Sequence, residues 1–206
     1  MRSIAIVFLI VSLFVSHSSH AQKLNKKFFK KANSFFDNHI EDGQVDYRKI
    51  LKDRRSLDEL LEMISDFDIS NGSPSYKKAF YINAYNILLI KNVVNNFPVP
   101  FPLEEVGFFS KVKHPIARDT LTLNEIESVK LINEFKDVRI LFALSSATKG
   151  SLPVADYAYK PKKLKKQFKK RIKKTVNDFA YIRVMPKASK ILLAEAFLKS
   201  QTHFNK

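Results

Sequence analysis

Residues 71–100 read "NGSPSYKKAFYINAYNILLIKNVVNNFPVP", and the way this stretch folds decides the architecture. Ser73 is placed to cap a helix, and Pro74 suits the first helical position, where no backbone donor is required. Pro98 blocks continuation, so the helix should end near Phe97. Between these limits Phe80, Ala84, Ile87, Leu88 and Val94 keep the spacing of a helix that the core surrounds. Other elements must therefore wrap it.

The flanking sequence supplies them. Upstream, "KLNKKFFKKANSFFDNHI" (23–40) sets Leu24, Phe28, Phe35 and Phe36 near helical spacing. "EDGQVDY" (41–47) is a turn at Gly43, and residues 50–64 read as one helix with Leu57, Leu60, Leu61 and Ile64 on a face. Downstream, "HPIARDTLTL" (114–123) reads as a hairpin around Arg118–Asp119. Thr122 and Glu125 form a capping box for the next helix, with Leu121 and Ile126 as its hydrophobic staple. "VRILFAL" (138–144) is a continuous apolar run after Arg139, expected as an inner strand. "YIRVM" (181–185) is a second strand candidate, and "ASKILLAEAFLKSQTHF" (188–204) a closing helix. The expected class is α+β, a mostly helical single domain with a small β-sheet.

Composition narrows the chemistry. The chain has 206 residues and no cysteine, which excludes a disulfide scaffold, thiolate catalysis and thiolate metal sites. It carries 36 Lys+Arg against 20 Asp+Glu, a formal charge of +16 that favours anionic partners. At the N-terminus, Arg2 precedes the apolar run "IAIVFLIVSLFV" (4–15), and "SHA" ends at Ala21. This is the order of a secretory signal peptide over residues 1–21, with cleavage near Ala21–Gln22. The run is short for a bilayer span, which takes roughly 20 residues, and an uncleaved anchor is the alternative reading. The expectation is an exported chain, periplasmic or extracellular, whose residues 22–206 form one domain held by its apolar core.

The charge concentrates in Lys160–Lys174, "KPKKLKKQFKKRIKK", with ten basic residues and no acid. Leu164, Phe168 and Ile172 recur every fourth residue, with Phe179 extending the stripe. The segment is therefore an amphipathic helix. Its like charges repel at i,i+4, and docking of the stripe must outweigh that. On one reading Lys162, Lys163, Lys165, Lys166, Lys169, Lys170, Arg171, Lys173 and Lys174 bind a polyanion or an anionic membrane surface. On the other they are a solvated face of a core-docked helix. Only Phe168 interrupts the basic positions, so base stacking on nucleic acid is poorly supported. An anionic envelope component, lipid or polysaccharide, is the expected partner on the first reading.

The other polar concentration is "LSSATKGSLP" (144–153), directly after the apolar run. Ser145, Ser146 and Thr148 suit a turn or a cap. Ser146 or Ser151 would be a nucleophile only with a base beside it, and Ser146 with Lys149 would need a desolvated lysine. His39, His114 and His203 remain after the leader, without zinc-ligand spacing. No metal or cofactor is expected.

Taken in order, "DGQVDY" (42–47), "FYINAYNILLIKNVV" (80–94), "LTLNEIES" (121–128), "DVRILFALSSATKGSLP" (137–153) and the terminal "ILLAEAFL…HF" (191–204) resemble the family called domain of unknown function 547. The resemblance implies a fold and a pattern, not a reaction. Members read like D-x-R-I-H-F-A-L-N-C-A-S-K-x-C-P where this chain has Leu141 for the histidine and Ser146 and Ser151 for the cysteines. A further family histidine falls on Ser128, while Asn83, Asn86 and Glu127 are kept. Cysteine and histidine are the groups that supply a nucleophile and a base near neutral pH. The resemblance thus implies a disarmed pocket around Asn83, Asn86, Glu127, Ser128, Leu141, Ser146 and Ser151. Three roles stand: a non-catalytic binding or structural protein of the envelope, a hydrolase or transferase using Ser146 or Ser151, and a polyanion binder through Lys160–Lys174.

Overall fold

The computed structural model describes residues 26–98, 107–148, 150–194 and 197. The expected leader, Leu24, Lys149 and His203 lie outside the described residues.

Helix α4 (Pro74–Asn95) is the axis of the molecule. The Ser73 side chain accepts from the Tyr76 backbone N–H and Pro74 opens the first turn, as the sequence predicts. The helix stops two residues before Phe97, with the Asn96 N–H bonded to the Val93 carbonyl. Every residue from Ala79 to Ile90 is buried, so α4 is packed on all sides.

Helix α1 (residues 26–39) lays Phe28, Phe35 and Phe36 on the core. Phe28 meets Phe67 and Phe80 at ring separations of 5.2 and 5.4 Å, and Phe67 stacks on Phe80 at 3.9 Å. A two-residue hairpin follows, β1 (Ile40–Glu41) with β2 (Gln44–Val45), turning at Gly43. The expected single helix over 50–64 is two: α2 (Tyr47–Lys52) and α3 (Arg55–Ser65). Asp53 makes the break. Its N–H closes α2 on the Lys49 carbonyl, and its carboxylate takes the Arg55 N–H at 3.1 Å. That local hydrogen bonding competes with helix continuation.

Strands β3 (Lys113–Ile116) and β4 (Asp119–Thr122) form the predicted hairpin, with its turn one residue earlier than expected, at Ala117–Arg118. Both turn residues have positive φ, 51° and 64°, the type I′ geometry that matches strand twist. Their N–H groups donate to the Ile64 and Ser65 carbonyls at 2.8 Å each, closing the end of α3. The capping box of Thr122 and Glu125 opens α5 (Leu123–Glu125), which continues as a π-helix over Ile126–Asn133.

The expected inner strand is instead a 3₁₀-helix, Val138–Ala143. Ile140, Leu141, Phe142 and Ala143 are buried as the apolar run requires, but burial does not distinguish strand from helix in so short a segment. Asp137 starts the turn by accepting from the Arg139 N–H, and its carboxylate also pairs with Lys78 at 2.6 Å. Burial opposes ionisation of Asp137, yet the Arg139 and Lys78 hydrogen bonds outweigh it and hold the pKa at about 2. A short 3₁₀ turn (Pro161–Lys163) leads into α6 (Leu164–Val176). Strands β5 (Ile182–Met185) and β6 (Lys190–Leu193) form a third hairpin, so Lys190–Leu193 is strand where a helix was expected, and most of the rest of that expected helix lies outside the described residues. The result is a mostly helical α+β domain whose β content, among the described residues, is three separate two-stranded hairpins.

Candidate functional site

Asn83 and Asn86 sit one turn apart on α4 and face two different stretches of loop. The Asn83 amide donates to the Ala79 and Tyr159 carbonyls, both at 2.8 Å, and its oxygen accepts from the Tyr159 N–H at 2.8 Å. The Asn86 amide donates to the Ile82 and Ala143 carbonyls, both at 2.9 Å, and its oxygen accepts from the Ser145 N–H at 3.3 Å. Each buried amide thus spends both its donors and its acceptor on backbone, as burial demands. They fix the two ends of the segment that runs from the 3₁₀-helix to the start of α6.

Between those fixed points lie the hydroxyls. Ser145 is buried, with its Oγ 3.3 Å from the Ser151 Oγ and accepting from the Ala147 N–H. Ser146 is half-buried, its Oγ 3.1 Å from the Thr148 Oγ1. Among the described residues no imidazole or carboxylate hydrogen-bonds to any of these hydroxyls; their partners are one another and the Ala147 N–H. The pairing of Ser146 with Lys149 falls outside the described residues.

The remaining candidates are held elsewhere. Glu127 accepts from the buried Tyr85 hydroxyl at 3.4 Å. Burial first, and then the Glu127 charge, raise the Tyr85 phenol well above its ordinary pKa. Ser128 is exposed and donates to the Asn124 carbonyl at 2.6 Å. Leu141 is part of the core. His114 is buried with its Nδ1 3.3 Å from the Lys91 Nζ and its Nε2 without a partner. The His39 Nδ1 lies 2.9 Å from the Phe35 carbonyl oxygen, on its own helix. Among the described residues no three His, Asp or Glu side chains group as a metal site, and no helix is long and apolar enough to cross a membrane.

A cleft of about 90 Å³ does open beside α6, with room for about three water molecules. Asp42 and Gly43 of the first hairpin turn, Val154–Tyr157, and Lys170, Arg171 and Lys174 line it. None of the seven pocket candidates named from the sequence is among these residues. Gly43, at φ 84°, packs its backbone so closely on Pro153 that a Cβ would lie 2.3 Å from the proline Cβ. The Lys170 Nζ stands 5.6 Å over the Tyr157 ring. Tyr157 and Tyr159 pack edge-on at 5.6 Å. Their hydroxyls are buried and, among the described residues, make no hydrogen bond; burial raises both phenols above their ordinary pKa and the Arg171 charge acts against it.

Arg171 corrects the sequence expectation. The sequence pattern puts it on the basic face, but only 6% of it is exposed. Its Nε donates to the Phe142 carbonyl at 3.2 Å and an Nη to the Pro153 carbonyl, strapping α6 to both sides of the hydroxyl loop. The buried stripe is Leu164, Phe168, Arg171 and Thr175, a spacing of four, three and four. A helical face follows that mixed spacing of four and three, which a strict every-fourth-residue stripe leaves out. Ile172 is half-buried, and Phe179, expected to extend the stripe, is 75% exposed. Lys162, Lys163, Lys165, Lys166, Lys169, Lys170, Lys173 and Lys174 are all exposed, and none makes a salt bridge among the described residues.

A family model described as "Protein of unknown function, DUF547" matches residues 69–175, a span that takes in α4 through nearly all of α6 and stops short of β5. No curated protein and no solved structure matches the chain.

Proposed function

Because the chain belongs to the family described as Protein of unknown function, DUF547, we propose that it is a non-catalytic member that binds an anionic surface of the cell envelope through α6. The observation that carries this reading is the lysine face of α6: exposed throughout and without an ion pair among the described residues. A face that only solvates the helix gains from nearby carboxylates, which reduce its self-repulsion. This one has none within its own length. Exported as its N-terminal residues suggest, the protein would meet anionic lipid or polysaccharide.

Absence of catalysis is supported by the hydroxyl loop. Ser145, Ser146, Thr148 and Ser151 bond to one another or to backbone, and a serine hydroxyl is a weak nucleophile without an adjacent base. Binding is tested with heparin and with vesicles containing phosphatidylglycerol, comparing the native chain with the quadruple variant Lys165→Glu, Lys166→Glu, Lys169→Glu and Lys170→Glu. The reversal should abolish binding to both. Retained binding would refute the α6 face. A Ser146→Ala or Ser151→Ala variant that lost an ester- or amide-hydrolysing activity present in the native chain would refute the non-catalytic half.

A further inference from the structure

The β5–β6 hairpin is built unlike the other two. Its register pairs Ile182 with Leu193 and Val184 with Ile191, alternating with Arg183–Leu192 and Met185–Lys190. Directly paired residues share a face, and successive pairs alternate faces. One face is therefore wholly aliphatic, while the other sets Arg183 and Lys190 beside Leu192 and Met185. The aliphatic face is open: Val184 is 56% exposed, Ile191 63% and Leu193 52%. Phe179, just before the hairpin, is 75% exposed. Chains rarely leave apolar groups contiguous in the open unless something covers them.

What covers this face is indicated by charge. Between Lys160 and Ala194 the chain has a single carboxylate, Asp178. That residue is structural: its backbone carbonyl accepts from the Tyr181 and Ile182 N–H groups at 3.0 Å, and its side chain accepts from the Ala180 N–H at 2.9 Å. Through this turn the hairpin is fixed to the end of α6, with five residues between them, and the Tyr181 hydroxyl donates to the Ser151 carbonyl at 3.3 Å. The hairpin tip adds Lys187 and Lys190. An aliphatic face bordered by lysine and arginine, next to a lysine-rich helix, has the composition that seats at the headgroup boundary of an anionic bilayer. A soluble polysaccharide would use the lysines and leave the aliphatic face unused.

We infer that the aliphatic face of the β5–β6 hairpin inserts into the interface of an anionic lipid bilayer while the α6 lysines hold the headgroups. This rests on the α6 reading above and names its ligand.

The chain has no tryptophan, so Val184→Trp gives a single reporter on the face in question. Its emission should sit at the exposed position in buffer and with heparin, and move to the blue on vesicles of phosphatidylcholine with phosphatidylglycerol. The charge-neutral triple variant Val184→Thr, Ile191→Thr and Leu193→Thr should weaken vesicle binding about tenfold or more, with heparin binding unchanged. Vesicle binding with no spectral shift overturns the inference and leaves the α6 reading standing. Emission already blue in buffer shows that the chain beyond residue 194 covers the face, and a blue shift that grows with protein concentration shows a second copy. Either overturns it. Loss of the α6 lysines without loss of binding to either ligand overturns the α6 reading instead.

Discussion

Asn83 and Tyr159, 76 positions apart, exchange two hydrogen bonds of 2.8 Å, the side-chain amide of one pairing with the backbone of the other as a neighbouring strand would. Asn86 does the same across Leu144, joining the Ala143 carbonyl and the Ser145 N–H. Helix α4 is therefore the template on which the loop after the 3₁₀-helix is laid down.

Asn83→Ala and Asn86→Ala should each cost about 2–4 kcal/mol, because each strands a buried carbonyl and a buried N–H besides opening a small cavity. Urea unfolding of the two variants checks this. Asn86→Ala should also raise hydrogen exchange at the Ser145 amide more than at Tyr159, and Asn83→Ala the reverse. Equal, small losses would mean the amides fill space rather than template the loop.

Gly43→Ala should cost about 2–4 kcal/mol, combining a left-handed backbone with a Cβ driven into Pro153. Gly150, also at positive φ (86°) but with nothing within 4 Å of its Cβ position, should lose only the backbone part, about 1–2 kcal/mol. Thermal melts of the two variants separate the terms.

Acid should weaken the fold through His114. Burial first, and the Lys91 charge second, lower its pKa from 6.5 to about 4. The unfolded chain then binds a proton that the folded chain refuses. This contribution is fully present above about pH 6.5 and is lost as the pH falls towards 4, up to roughly 3 kcal/mol. In His114→Leu the stability profile should lose its slope between those values. An unchanged slope would assign the acid sensitivity elsewhere.

Arg171 and its lysine neighbours should part company. Arg171→Lys should destabilise by about 1–3 kcal/mol, since an ammonium cannot keep both the Phe142 and Pro153 carbonyls in the guanidinium geometry. Lys169→Ala and Lys173→Ala should leave stability within about 0.5 kcal/mol and weaken vesicle binding. Chemical unfolding beside vesicle co-sedimentation reads both.

The sequence made α4, its Ser73 cap, the Thr122–Glu125 box and the β3–β4 hairpin legible, because each is written in local residue chemistry. It hid what depends on distant partners. Val138–Ala143 is apolar in either conformation, and what surrounds it is set by α4 and α6. Lys190–Leu193 lies in a helix-favouring context but pairs with Ile182–Met185. Arg171 reads as one more cation until its two carbonyl partners are known. The break at Asp53 carries no Gly or Pro and rests on one carboxylate's hydrogen bonds.

The most direct test of the central claim is the affinity for phosphatidylglycerol vesicles measured against ionic strength, for the native chain and for the fourfold reversal at Lys165, Lys166, Lys169 and Lys170. Screening shortens from about 10 Å at 0.1 M salt to about 3 Å at 1 M. The native affinity should therefore fall steeply across that range, and the reversed variant should bind at no salt concentration. Affinity independent of salt, or a reversed variant that binds as the native chain does, would contradict the account.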